Sequence, residues 1–315
     1  MRCSVHGDLS RIDVRDARKR LLRWYRSNAR DLPWRSCPEP YGILVSEFML
    51  QQTQVGRVLE YFPRWVARFP DLATLASANR RDVLVAWAGL GYNRRALLLH
   101  DAAKTLVERF GGNIPRDIET LRQLPGVGRY TARAIASFAF GVRTAVVDTN
   151  VRRVVIRYFG LTIGPNPSAT ARQVETLAEH LLPPRAYVRW NHAMMDLGAL
   201  VCTSRRASCA KCPLAFSCRS AGSITPPERR STPKETIPRR IWRGRIMSIL
   251  LSRPPLYRAT YKEIERALQE GFPRDPQPYL PDVLMSLARD GMVSIPSMSH
   301  HGLRSGFRGF IRLAE

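Results

Sequence analysis

The sequence predicts an all-α protein of two helical blocks that runs into a four-cysteine loop and is followed by a small α+β domain. Three observations predict this. Helical periodicity without strand alternation runs to about residue 200, four cysteines crowd between positions 202 and 218, and a Pro-, Thr- and Arg-rich stretch sets off the last part of the chain.

The first block, residues 11–141, reads as amphipathic stretches broken at Pro33, Pro38, Pro40, Pro63, Pro70, Gly89, Gly91, Pro115 and Pro125. The second covers helices over 148–159, 169–182 and 187–200 and leads straight into the cysteines. Together they form one unit, residues 1–223. Residues 224–243 read as an extended basic linker. Residues 244–315 then predict helices over 244–251, 261–269 and 280–290 and a β-like tail over 309–313, an order that fits a small winged-helix domain.

Composition narrows the function. With 315 residues and 44% hydrophobic content, the chain can bury a sizeable core. Its 50 Lys and Arg against 26 Asp and Glu give a formal charge of +24, which points to a polyanionic partner, nucleic acid first. No apolar run approaches the length needed to span a bilayer, and the amino terminus has no apolar signal core. We therefore expect a soluble intracellular protein, cytoplasmic or associated with the nucleoid, with no membrane partner.

Cys202, Cys209, Cys212 and Cys218 are spaced C-x6-C-x2-C-x5-C, short enough to close around one small inorganic core. An iron-sulfur cluster fits this spacing better than structural zinc, whose ribbons usually offer two C-x2-C pairs. Arg205, Arg206 and Lys211 make the loop a basic knob suited to DNA phosphates, or simply a solvated face. Cys3 and Cys37 match no ligand pattern.

Leu124-Pro125-Gly126-Val127-Gly128 lies between helical patterns over 118–123 and 130–140. Two glycines around one apolar residue make a tight turn whose amides, at the start of the second helix, can bind a phosphate without reading sequence. An ordinary αα turn is the competing reading. Two carboxylates stand out. Asp148 opens a helical stretch and is most simply an N-cap. Glu47 sits in the apolar helix Ile43-Leu44-Val45-Ser46-Glu47-Phe48-Met49-Leu50, where burial is costly without a purpose or a partner, unless it lies on a partly exposed face.

The stretches Leu32-Pro33-Trp34-Arg35, Ser46-Glu47-Phe48-Met49-Leu50-Gln51-Gln52-Thr53-Gln54-Val55, Gly89-Leu90-Gly91-Tyr92, Leu124 to Ala132 and Met194-Met195-Asp196-Leu197-Gly198-Ala199 follow in order. With the cysteine spacing, they resemble the catalytic half of the adenine DNA glycosylases of the MutY type, over roughly residues 15–220. The resemblance implies the helix-hairpin-helix superfamily that includes endonuclease III: two helical subdomains, an active site in the cleft between them, and a [4Fe-4S] identity for the cysteine loop. It implies Glu47 as the general acid that protonates the purine and Asp148 as the carboxylate that stabilises the sugar cation, with Asn150 and Tyr130 in support. Gln51, Gln52 and Tyr92 match DNA-contacting positions, as do Leu124, Gly126, Val127 and Gly128 of the hairpin. Where the endonuclease III branch carries a nucleophilic lysine after its hairpin, this chain has Tyr130, so the resemblance implies a glycosylase with little or no strand-cleaving activity.

The family's β-rich C-terminal domain is not recognisable in residues 244–315; Ser299-His300 matches a Ser-His element of that domain only by chance, and Arg304, Arg308 and Arg312 form a basic tail. The expected partner is duplex DNA with a mismatched or damaged pair, bound by a monomer. The expected reaction is removal of adenine opposite guanine or 8-oxoguanine. The alternatives are a thymine or uracil glycosylase acting opposite guanine, and a non-catalytic cluster-bearing DNA-binding protein.

Overall fold

A computed structural model describes residues 13–161, 167–224, 238–270, 280–295 and 310–314. Among these the chain is mostly helical, with fifteen α-helices and one small three-stranded sheet. No helix among them is long and apolar enough to cross a membrane.

The helices begin and end where local chemistry dictates. Side chains of Asp13, Asp71, Asn79, Asp117 and Asp148 accept from backbone amides three residues ahead and start α1 (Val14–Asn28), α5 (Leu72–Ser77), α6 (Arg80–Trp87), α8 (Ile118–Leu121) and α10 (Thr149–Phe159). Pro33 and Pro40 open α2 (Pro33–Ser36) and α3 (Pro40–Leu50) rather than merely interrupting helices. Pro63 departs from expectation. It lies inside α4 (Val55–Arg68) and does not break it. The carbonyl its ring deprives of a bond belongs to Leu59, an exposed residue, so water can satisfy it. Left-handed Gly111, Gly141 and Gly160 end α7 (Arg94–Phe110), α9 (Arg129–Phe140) and α10.

The chain divides into two compact units. The first holds the residues up to Ile43, Arg116–Arg122 and Val127–Ser231; the second holds Leu44–Pro115, Gln123–Gly126 and Thr232–Glu315. In the first, α10 packs against α11 (Pro167–Leu181) and α12 (Tyr187–Leu200), and α12 against α1. In the second, α5 and α6 pack on α7.

The C-terminal elements join the second unit. The helix expected from residue 244 begins five residues earlier, as α13 (Arg239–Leu251), so helix replaces the last part of the expected linker; residues 225–237 lie outside the described residues. It packs with α14 (Tyr261–Gln269), started by a Thr260–Glu263 capping box, and α15 (Leu280–Arg289). Strands β1 (Ala259–Thr260) and β2 (Val293–Ser294) flank β3 (Phe310–Leu313), both antiparallel, with Ala259 opposite Ile311 and Val293 opposite Leu313. Three arginines of the preceding helices hold this part: Arg80 and Arg81 donate to the carbonyls of Gly291, Leu251 and Arg253, and Arg94 lies 3.4 Å from Asp290. Ser299-His300, Arg304 and Arg308 fall outside the described residues.

Candidate active site and cysteine loop

Each unit carries one of the two carboxylates. In the second, Glu47 is only 4% exposed. Its neighbours from Ile43 to Met49 are all buried, which removes the reading of an exposed helix face. The turn after α3 is pinned from below by Arg95, itself 6% exposed. Its guanidinium donates to the carbonyls of Phe48 at 2.9 Å, Met49 at 2.7 Å and Gly91 at 3.0 Å, to that of Gln51, and to Thr53 Oγ1 at 2.8 Å. Burial lowers its pKa to about 10. This one side chain ties the segment of Gln51 and Gln52 to that of Tyr92. Both Gln52 (φ 57°) and Tyr92 (φ 48°) are held in the left-handed region, and both are exposed. A strained backbone that presents a side chain outward is the kind of feature found at ligand contacts.

The hairpin turn packs against Phe48, the residue after Glu47. Gly126 has φ 74°, and a Cβ there would lie 2.7 Å from Phe48 and 2.9 Å from Leu98, so both the conformation and the close approach require glycine. Leu124 and Val127 are buried, and the turn therefore faces outward through its backbone. Gly128, exposed, starts α9 with no side-chain cap, leaving first-turn amides available to an anion. Tyr130 is the second residue of α9.

In the first unit, Asp148 Oδ1 accepts from the Val151 amide at 2.6 Å and Oδ2 from Asn150 Nδ2 at 2.9 Å. Burial raises its pKa, opposed by the Val151 amide, the Asn150 donors and the charge of Arg153. Burial thus outweighs the preference of a helix start for an anion. Arg153 fixes Asn150, donating to its Oδ1 at 2.8 Å and to the Gly198 carbonyl at 2.6 Å.

The far half of α10 holds the cysteine loop. Arg153 and Arg157 donate to the carbonyls of Cys202 and Thr203, and Arg157 Nη1 lies 3.3 Å from Cys202 Sγ. Tyr158 hydrogen-bonds Ser217 at 2.8 Å. Cys209 opens a short 3-10 turn that Cys212 closes, Cys218 closes a second, and all four cysteines are free thiols of intermediate burial. Burial and the other three sulfurs push the Cys212 thiol up to about 11. Four thiols that repel one another's charge fit a cationic inorganic core. Among the described residues, no group of three or more His, Cys, Asp or Glu side chains could hold a single metal ion. Arg205, Arg206 and Lys211 are exposed on this loop.

Residues 45–184 match the HhH-GPD superfamily of base excision DNA repair proteins. The chain is 42% identical over 285 residues to an adenine DNA glycosylase of Mycobacterium tuberculosis, across 88% of this chain and 92% of that protein. The chain belongs to the adenine DNA glycosylase family. It is 46% identical over 217 residues to the human adenine DNA glycosylase, across 66% of this chain but only 40% of the human protein's length. Among solved structures, it resembles a thermostable thymine-DNA glycosylase (TM-score 0.61, 29% identity, 68% of this chain and 100% of the other) and shares the fold of an endonuclease III in complex with DNA (TM-score 0.59, 24% identity, 68% and 97%).

As an adenine DNA glycosylase family member, the chain carries two positioning residues that its sequence did not single out, Arg95 and Arg153. In a protein with this many arginines, neither a pattern nor a spacing separates those that hold carbonyls from those that face solvent. Only the packing does.

Proposed function

We propose that the chain is a monofunctional DNA glycosylase of base excision repair, which hydrolyses the N-glycosidic bond of adenine mispaired with guanine or 8-oxoguanine in duplex DNA. The observation that carries this reading is the burial of Glu47. A carboxyl group in an apolar helix favours its neutral form, and a neutral acid is what purine departure needs. As the C1′–N9 bond breaks, its electron pair goes to the adenine ring, and Glu47 gives its proton to a ring nitrogen. General acid catalysis of this kind is worth roughly 10²- to 10⁴-fold. Asp148 takes the opposite role, its carboxylate stabilising the positive charge that develops on the deoxyribose, with Asn150 and Arg153 fixing its orientation. Water adds at C1′, and Glu47, ionised by the first step, accepts the water's proton and regenerates the acid. Tyr130 offers no amine for a Schiff base, so an abasic site is left without strand cleavage.

The backbone of Gly126 to Gly128 and the exposed Arg205 and Arg206 supply phosphate contacts. Gln51, Gln52 and Tyr92 contact the bases. Cys202, Cys209, Cys212 and Cys218 would hold a [4Fe-4S] cluster, which their C-x6-C-x2-C-x5-C spacing favours over zinc. Bound there, it would tie the basic loop into a fixed shape. The C-terminal elements are a winged-helix-like domain. The likeness to a thymine-DNA glycosylase motivates a second reading, release of thymine or uracil opposite guanine, in which the proton from Glu47 has no purine to act on.

End-labelled duplexes carrying A opposite 8-oxoguanine, A opposite G, T opposite G and U opposite G test this under single-turnover conditions. Breakage of the adenine strand only after alkali is the expected result. Release confined to thymine or uracil overturns the substrate, and a Glu47→Gln variant with full adenine release overturns the mechanism.

A further inference from the structure

A cavity lies wholly within the second unit. Its volume is about 290 Å³, and its walls include Gln51, Gln52, Tyr92 and Arg94 together with Arg243 and Asp290. Gln51, Gln52 and Tyr92 come from the two turns that Arg95 ties together, and Arg94 is the first residue of α7. The last two come from α13 and the residue just past α15. Asp290 is the junction: Arg243 Nη2 donates to its Oδ2 at 2.5 Å, and Arg94 Nη1 lies 3.4 Å from its Oδ1. Arg243 also donates to Ser286 Oγ, so its guanidinium is held on both sides. The Asp290 side chain remains 21% exposed. A carboxylate has about four lone-pair sites, and two arginines leave it able to accept further donors from the cavity.

Extruding a nucleotide leaves the facing base without a partner. The donors and acceptors on its Watson–Crick edge then need substitutes, because unsatisfied polar groups shielded from water are costly. The cavity offers an exposed aromatic ring, Tyr92, for stacking and a carboxylate, Asp290, for two parallel N–H bonds. Among the four natural bases, guanine alone presents two adjacent N–H donors on that edge, at N1 and at the 2-amino group. Adenine and cytosine each present an amino group beside an acceptor, and thymine one N–H between two acceptors.

We propose that this cavity reads the unpaired guanine edge, with Asp290 accepting from N1 and the 2-amino group and Arg243 acting as the positioning residue that keeps the carboxylate in place. The inference rests on the adenine glycosylase reading and adds to it the selecting residue, supplied by the C-terminal elements. Because 8-oxoguanine keeps both donors, it groups with guanine here.

The test is equilibrium binding of the full chain to duplexes with a tetrahydrofuran abasic analogue opposite guanine, 8-oxoguanine or inosine, which lacks only the 2-amino group. The expected result is about tenfold or tighter binding opposite guanine and 8-oxoguanine than opposite inosine, and loss of that preference in Asp290→Asn. Equal binding opposite guanine and inosine by the unaltered chain overturns the proposal, and this comparison needs no variant that has to fold. An Asp290→Asn chain that folds and keeps the preference also overturns it. No base release is read, so a chain that shows the preference yet releases no adenine sinks the activity while leaving this site standing.

Discussion

Arg35 and Asp196, 161 residues apart in the chain, meet as a two-pronged ion pair in the first unit, Nη1 to Oδ2 at 2.9 Å and Nη2 to Oδ1 at 3.0 Å. Arg30 adds its own Nε at 2.7 Å and its backbone amide at 3.0 Å, and the Asp196 side chain is fully buried. Burial works to raise the aspartate pKa, but the Arg35 hydrogen bonds and charge and the Arg30 amide hold it below the ordinary 3.8. Two motifs that the sequence offered separately are thus one fastening that ties α2 and the chain just before it to α12.

Asp196→Asn leaves two arginines facing a neutral group, and we expect it to cost about 3–5 kcal/mol of unfolding free energy in urea titrations. Because the folded pKa is depressed, the contribution of this carboxylate is complete above pH 3.8 and is lost as pH falls through the folded value. A loss below about 1 kcal/mol would place the pair among the weak surface bridges instead.

Gly198 is the floor under the start of α10. A Cβ there would lie 2.7 Å from Asn150 Cβ and 3.0 Å from its backbone, two residues from Asp148. Gly198→Ala should therefore slow single-turnover base release about tenfold or more by shifting the carboxylate. Thermal unfolding should fall by only about 1–3 kcal/mol. An unchanged rate would separate Gly198 from the positioning of Asp148.

Arg95→Met fills similar space but leaves the carbonyls of Phe48, Met49, Gln51 and Gly91 without their donor. Each buried acceptor left unmade costs about 1–3 kcal/mol. The expected readout is a lower unfolding midpoint together with faster amide exchange around Gln52 and Tyr92, the two left-handed residues it steadies. Exchange that stays at the rate of the unaltered chain would count against that role.

His192 stacks on Phe138 with ring centroids 4.3 Å apart, and burial, helped by the charge of Arg35, lowers its pKa to about 3. The unfolded chain, with an ordinary value of 6.5, takes up this proton first. Stability from this group is thus complete above pH 6.5 and declines as pH falls toward 3, by at most about 1.4 kcal/mol per pH unit. Urea midpoints at pH 7.5 and pH 5 should differ less in His192→Gln than in the unaltered chain; an equal difference would assign the acid sensitivity elsewhere.

The sequence by itself determined most helix boundaries, because a cap is a local event. Asp148, Asp117 and the Thr260–Glu263 pair satisfy amides within three residues, and left-handed glycines end helices one residue later. It also named Glu47, Asp148, the hairpin and the four cysteines, since their signals are short motifs and spacings. Tertiary structure alone decided the rest. It buried Glu47 rather than leaving it on an exposed face, kept Pro63 inside α4 because Leu59 faces solvent, fastened Asp196 to Arg35, set Gly198 against Asn150 and brought Asp290 beside Tyr92. Apart from Pro63 and Leu59, one helical turn from each other, the pairs join residues from tens to nearly two hundred positions apart. Their energies depend on burial and on which donor finds which acceptor, and neither is encoded in the periodicity of any one segment.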